Sequence, residues 1–232
     1  MLTLRRHNER GHANHGWLDS HHTFSFANYH DSAHMHFREL RVINDDRVMP
    51  ASGFGTHSHQ DMEIISYVVD GAIEHKDSMG HVSVLREGEV QRMSAGTGLT
   101  HSEYNHSDSE ELRFLQIWVL PGQKGLTPEY EQKKYIDRLQ TNEPCLLVSA
   151  DGRDDSVRIH QDLNLYTVHM AADGTADYAI PDGRYAWLQL VNGAVTVNGQ
   201  AMQAGDGLAV SDESNLKIIS QQAAELLIFD LA

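Results

Sequence analysis

The sequence predicts an all-β protein built as two β-barrels in one chain. Three observations carry that reading: many short runs of β-branched and aromatic residues, turn signals between them, and an internal repeat. The runs are "LRVIND", "MEIISYVV", "HVSVL", "EVQRMSA", "ELRFLQIWVL", "RYAWLQLV", "AVTVNG", "DGLAVSD" and "ELLIFDLA". Between them fall Asp70-Gly71, Asn192-Gly193 and Asn198-Gly199, pairs that favour tight hairpin turns. Helix signals are scarce. The best is "PEYEQKKYIDRL", Pro128 to Leu139, which is expected to form a helical connector.

The repeat defines the organisation. "ISYVVDGAIEH" around Gly71 matches "LQLVNGAVTVNG" around Gly193, and each is followed by a Gly-acid turn, Gly88-Glu89 and Gly205-Asp206. The expected division is an N-terminal barrel over residues 1–133 and a C-terminal barrel over 134–232. Aligned on these glycines, Ala179 and Pro181 stand where the first copy has His57 and His59, and Ile218 and Ser220 stand opposite His101 and Glu103. The second copy is therefore read as a degenerate barrel without metal ligands.

Composition narrows the function. The chain has 232 residues, 40% of them hydrophobic, enough for a full core. Its 33 Asp and Glu against 18 Lys and Arg give a formal charge of −15, which repels nucleic-acid backbones and anionic membranes. "MLTLRRHNERGH" has no apolar core of a signal peptide, and no apolar run is long enough to span a bilayer. A single cysteine, Cys145, forms no internal disulfide and fits inert burial in a cytoplasmic protein.

The chemistry concentrates in "GFGTHSHQDMEI" and "GTGLTHSEYN". With 16 His in 232 residues, about one H-x-H pair arises by chance, so His57 and His59 need corroboration. They have it in His101 and Glu103, again at i and i+2, a spacing that turns both side chains to one face of a strand. Two neighbouring strands so equipped deliver three imidazoles and a carboxylate to one point inside a barrel, where a divalent metal is the natural occupant. Strand parity selects Glu103 as the carboxylate ligand. Glu63, close to the H-x-H-x(3,4)-E spacing that resembles the cupin superfamily, is the rival, and is otherwise expected just behind the ligands or on the pocket wall. His34 and His36 have no such second half and read as surface or lid residues. Glu74, His75 and Asp77 read as a solvated hairpin, and Trp118 as core.

The blocks "ERGHANHGWLDSHHTFSFANYHD", "GFGTHSHQDMEIISYVVDGAIEHKDSMG" and "GEVQRMSAGTGLTHSEYN" resemble the pirin family of bicupins, most closely the bacterial pirin-like quercetin dioxygenases. Beyond about Leu120 the resemblance thins to "TPEYEQKKY", the repeat glycines and "HQDLNLY". It implies two jelly-roll barrels and one metal in the N-terminal barrel, held by His57, His59, His101 and Glu103. Iron(II) is the expected ion, with nickel, manganese, copper, cobalt or zinc as alternatives. One departure is His36 in "AHMHF", where the family has Gly.

Four protein ligands leave an octahedral metal two open positions, as a dioxygenase requires. The implied reaction is the opening of the central ring of a flavonol such as quercetin with O2 and release of CO, with Glu103 or Glu63 as general base. "HHTFSFANY" supplies aromatics for a wall or lid, or covers the barrel edge. Two other readings stand beside the enzyme: a metal-sensing, non-enzymatic partner of a transcription factor, which the resemblance implies for some members, and a metal-dependent isomerase. The chain is expected to be a monomer.

Overall fold

The computed structural model describes residues Met1–Ala232: twenty-two strands, three single-turn 3-10 segments and no α-helix. The chain forms two compact units. One comprises Gly11–Lys134 with Val157–Gln161, the other Met1–Arg10, Tyr135–Ser156 and Asp162–Ala232. The main break, Lys134 to Tyr135, falls one residue from the expected division, but Met1–Arg10 belongs with the C-terminal unit and Val157–Gln161 with the N-terminal one. The first strand, Leu2–Arg5, pairs antiparallel with Gly207–Val210 and so belongs to the second unit, because an edge strand offers its free backbone groups to any extended segment.

In the first unit a large sheet runs in the order Glu129–Lys134, Glu89–Ser94, Glu63–Asp70, Leu112–Val119, Leu40–Val48, Leu18–His22 and Gly11–Asn14. A smaller sheet runs Gly53–His59, Leu99–Asn105, Ala72–Asp77 and Val82–Arg86. All of the pairings are antiparallel. The predicted helix over Pro128 to Leu139 is instead a strand, Glu129–Lys134, and a 3-10 turn, Ile136–Arg138. Edge pairing with Glu89–Ser94 overrides helix propensity: Tyr130 pairs with Met93, and its hydroxyl donates to Gln132 Oε1 at 2.7 Å.

The second unit repeats the plan. Its small sheet runs Thr175–Ala179, Asn215–Ser220, Ala194–Val197 and Gln200–Gln203, and its large sheet includes Tyr185–Asn192 between Gly207–Val210 and Ala224–Leu231. Gly71 and Gly193 both turn with φ +85°. A Cβ at Gly71 would lie 3.2 Å from Glu111 O, and one at Gly193 2.4 Å from Ala223 O, so both turns need glycine for conformation and for space.

Strand register corrects the sequence alignment of the copies. His101 lies two pairs beyond Glu103 on a strand where Glu103 faces His75, four residues after Gly71; in the second unit Ile218 faces Val197, four residues after Gly193. Ile218 thus occupies the place of Glu103, and Leu216 that of His101. Across the next pairing, His57 faces His101 and Tyr178 faces Leu216, so Tyr178 and Ile180 replace His57 and His59. Small differences in loop length had shifted the alignment by one and two residues. Tyr178, Ile180, Leu216 and Ile218 all belong to one apolar core, which closes the second barrel. Ile218→Ala should therefore lower stability by about 2–4 kcal/mol, read by urea denaturation, while leaving metal content unchanged.

Candidate metal centre

The strand Leu99–Asn105 alternates strictly. Leu99, His101, Glu103 and Asn105 are buried, while Thr100 and Tyr104 are exposed. Its neighbour Gly53–His59 approaches so closely that a Cβ on Gly53 would lie 2.4 Å from Glu103 O. The register places His57 opposite His101, and a bulge between His101 and Glu103 re-aims the side chains, as bulges do beside functional sites.

His57, His59 and His101 converge as the parity argument requires, with ring centroids 4.5–4.9 Å apart. His57 Nδ1 donates to Gly55 O at 2.8 Å, which leaves Nε2 as a lone pair. That Nε2 lies 3.0 Å from His101 Nε2. Ligands on neighbouring corners of an octahedron with bonds of about 2.1 Å have this same separation of about 3.0 Å. Burial, reinforced by the neighbouring imidazoles, pushes His59 down to about 4 and His101 to about 3. Both rings are therefore neutral at physiological pH, the form that binds metal. His101 Nδ1 is buried without a hydrogen-bond partner. These features fit a divalent metal.

Glu103 is 2% exposed. Ser66 Oγ donates to its Oε1 at 3.0 Å and Gln116 Nε2 to its Oε2 at 2.6 Å, so its carboxylate is held from the opposing large sheet. Glu103, His57 and His59 line one cavity, and Glu103 clusters with His101 and His75.

Glu63 goes elsewhere. It is 1% exposed, accepts from Ser94 Oγ at 3.0 Å and His160 N at 3.3 Å, and lies neither in the histidine cluster nor on the cavity wall. Burial pushes its carboxyl up, against the opposing Ser94 hydrogen bond and Arg92 charge. The reason is topological: Glu63 starts a strand of the large sheet, facing Val119 and Ser94, whereas His57 and His59 belong to the small sheet.

The hairpin of Glu74, His75 and Asp77 also departs from expectation. Glu74 is exposed, but His75 is fully buried and Asp77 nearly so. His75 has its ring centroid 5.4 Å from that of His101, the rings inclined by 52°, with Asp77 Oδ2 3.3 Å from its Nε2 and Gln91 Nε2 3.4 Å from its Nδ1. It packs behind His101 and holds its ring in place. Trp118, expected in the core, packs against the cluster of Ile64, Met93, Ala95 and Leu99 yet also lines the cavity, edge-on to His59 at 5.0 Å and to Phe26 at 5.4 Å. Ser66 and Gln116 left a faint signal: each is a polar residue inside an apolar run. His34 and His36 are surface groups, bonded to Asp31 Oδ2 at 2.7 Å and Arg38 O at 2.9 Å. Cys145 is buried, which pushes its thiol up and keeps it inert.

The cavity encloses about 770 Å³, within the range of small-molecule sites. Phe26, Tyr29, Phe54 and Trp118 form its aromatic wall, the first two from the "HHTFSFANY" segment. Asn44 and Asp46 line it as well, and Oδ1 of each is buried without a partner. Burial, aided by the Asp45, Glu103 and Asp19 charges, pushes Asp46 up to about 7 against a hydrogen bond from Ser20.

An all-β chain of two such barrels, one carrying three imidazoles and a carboxylate and the other filled with apolar side chains, is a bicupin. The chain belongs to the pirin family: residues 3–119 match the pirin model, and residues 146–231 match that of the quercetinase C-terminal cupin domain. It is 50% identical over 231 residues, 100% of its length and 99% of the relative's, to quercetin 2,3-dioxygenase of Escherichia coli K12. The crystal structure of YhhW from Escherichia coli superposes with a TM-score of 0.96 at 49% identity, covering 100% of this chain and 98% of that one. The nickel(II) complex of bacterial pirin YhhW from the same organism superposes with a TM-score of 0.94 at 49% identity, covering 100% and 99%. No helix is long and apolar enough to cross a membrane.

His57→Ala and His101→Ala should lose the metal that the wild type retains after dialysis, one ion per chain, while Glu63→Gln keeps it. Elemental analysis of the dialysed proteins reads the result. Asp46 has a folded value above its unfolded one, so between about pH 4 and 7 the native state holds a proton that the unfolded chain has released, and stability falls as pH rises through that window. Asp46→Asn removes this loss. Urea denaturation should show the variant gaining on the wild type between about pH 4 and pH 8.

Proposed function

We propose that the protein is a metal-dependent flavonol dioxygenase of the quercetin 2,3-dioxygenase type, opening the central ring with O2 and releasing CO. The observation that carries this reading is the placement of His57, His59 and Glu103, with His101 beside them, at an aromatic-walled cavity large enough for a flavonol. The E. coli relative's name supports it. His57, His59, His101 and Glu103 would hold one divalent ion, iron(II) by preference, although raw affinity does not favour iron over nickel or copper. When bound, the metal supplies Lewis acidity that lowers the pKa of a coordinating hydroxyl, and redox chemistry toward oxygen.

The chain's own residues do the rest. Glu103 accepts the proton of the substrate's enolic 3-hydroxyl at a carboxylate oxygen. Gln116 and Ser66 keep that carboxylate in one orientation throughout, so no reorganisation accompanies the transfer. Phe26, Phe54 and Trp118 offer flat apolar surface to a planar ring system and keep water from the reacting carbons. Both oxygen atoms of O2 enter the ring-opened ester, and one ring carbon leaves as CO.

Oxygen consumption and CO release, measured together on metal-loaded wild type, metal-free protein and Glu103→Gln at equal metal loading, test the assignment. Wild type should turn over quercetin, and the other two should not, because an amide cannot take the proton at neutral pH. Absence of oxygen consumption with any of several flavonols would overturn the dioxygenase reading and favour a non-enzymatic, metal-sensing protein or an isomerase.

A further inference from the structure

A second cluster of metal-ligating side chains lies outside the buried site. His12, Asp19 and His21 bring one donor atom each within 4.8 Å of the others. They stand on the hairpin formed by Gly11–Asn14, the terminal strand of the large sheet, and Leu18–His22. His12 faces His21 directly across that pairing. In Leu18–His22 burial alternates, with Leu18, Ser20 and His22 turned inward and Asp19 and His21 outward, so the carboxylate and the second imidazole share the outer face.

We propose that His12, Asp19 and His21 form a second, solvent-accessible site for a borderline divalent transition metal such as zinc(II), copper(II) or nickel(II). Two imidazoles and one carboxylate on a single face suit these ions, and leave the remaining positions to water. The imidazole rings stack at 4.5 Å, and Asp19 Oδ1 lies between them, 2.9 Å from His12 Nε2 and 3.5 Å from His21 Nδ1. The other carboxylate oxygen is already occupied: Asn14 Nδ2 donates to Oδ2 at 3.1 Å, and Asn14 is itself held by Gly16 N, 2.8 Å from its Oδ1. Such outer hydrogen bonds orient a ligating carboxylate.

The fixed cations nearby are engaged elsewhere. Arg47, across the pairing from Asp19, bonds Glu111 at 2.8 Å, and Arg113 binds Asp45 through two bonds of 2.9 and 3.0 Å. A metal ion therefore does not compete with an arginine for Asp19. The three side chains are 51%, 37% and 39% exposed, so that side-chain rotation can close the small gaps to bonding distance. Of the three, His12 also lines the cavity. Exposure makes the ion exchangeable, unlike one held by the buried histidines.

Equilibrium dialysis of the full-length protein against increasing zinc(II), with bound metal read by elemental analysis, tests the site without reference to activity. Wild type should bind two ions per chain, one retained on dialysis into metal-free buffer and one released. His21→Ala should lose only the released ion, His57→Ala only the retained one, and Asp19→Asn should weaken the released ion about tenfold. In parallel, zinc should protect His12 and His21 from carbethoxylation mapped by mass spectrometry. Circular dichroism checks folding, and His12→Gln serves as the second variant should His21→Ala misfold. A second ion bound as tightly by His21→Ala and His12→Gln as by wild type overturns the proposal, and so does saturation of wild type at one ion up to millimolar zinc.

Discussion

The structure depends on how a buried carboxylate is held. Glu103 sits inside a barrel where an unpaired charge would cost several kcal/mol, and the fold meets that cost by aiming Ser66 and Gln116 at it from the facing sheet. Those two residues are direct neighbours across a strand pairing. The row continues through Asn44 to His22 on the next two strands. One level of the large sheet thus carries polar side chains across four neighbouring strands. The three imidazoles approach from the small sheet: His57 and His59 line the cavity with the carboxylate, and His101 clusters with both histidines and with Glu103.

The second barrel shows what the same framework does without that constraint. Its strands follow the same order and the same glycine turns, but Tyr178, Ile180, Leu216 and Ile218 stand where the first barrel has His57, His59, His101 and Glu103. The supporting positions changed together: Leu188 replaces Ser66, Ile228 replaces Gln116 and Val197 replaces His75, all within one apolar core. A half-converted set would bury polar groups without partners, which costs more than either a complete polar network or none. The two barrels represent the two stable solutions.

Around the metal centre, polar and apolar surfaces divide the work. Aromatic side chains supply a flat wall, while Asp46 and Asn44 on one face of Leu40–Val48 keep buried oxygens without internal partners. Behind the histidines, Asp77 is tied to His75, to His81 Nδ1 at 2.9 Å and to the backbone N–H of Met79 and His81, so the support of His101 is itself anchored. Preorganisation of this kind lets a site act without rearranging as charge develops.

The sequence by itself determined the strand pattern, the repeat and the pairing of His57 with His59 and of His101 with Glu103, because strand parity and glycine turns are local properties that survive any packing. It did not determine which polar residues surround them. Glu63 lies four residues beyond His59, yet the turn between them carries it into the other sheet, to Ser94. His75 and Asp77 lie in a run that reads as a solvated hairpin, but Gln91 and Tyr130 of the large sheet pack against His75, and both His75 and Asp77 are buried. Pro128 to Leu139 has helical composition, and an open sheet edge drew its first half into a strand. Only the tertiary structure decided these points, since they depend on which strands become neighbours, and neighbours in a barrel come from segments tens of residues apart.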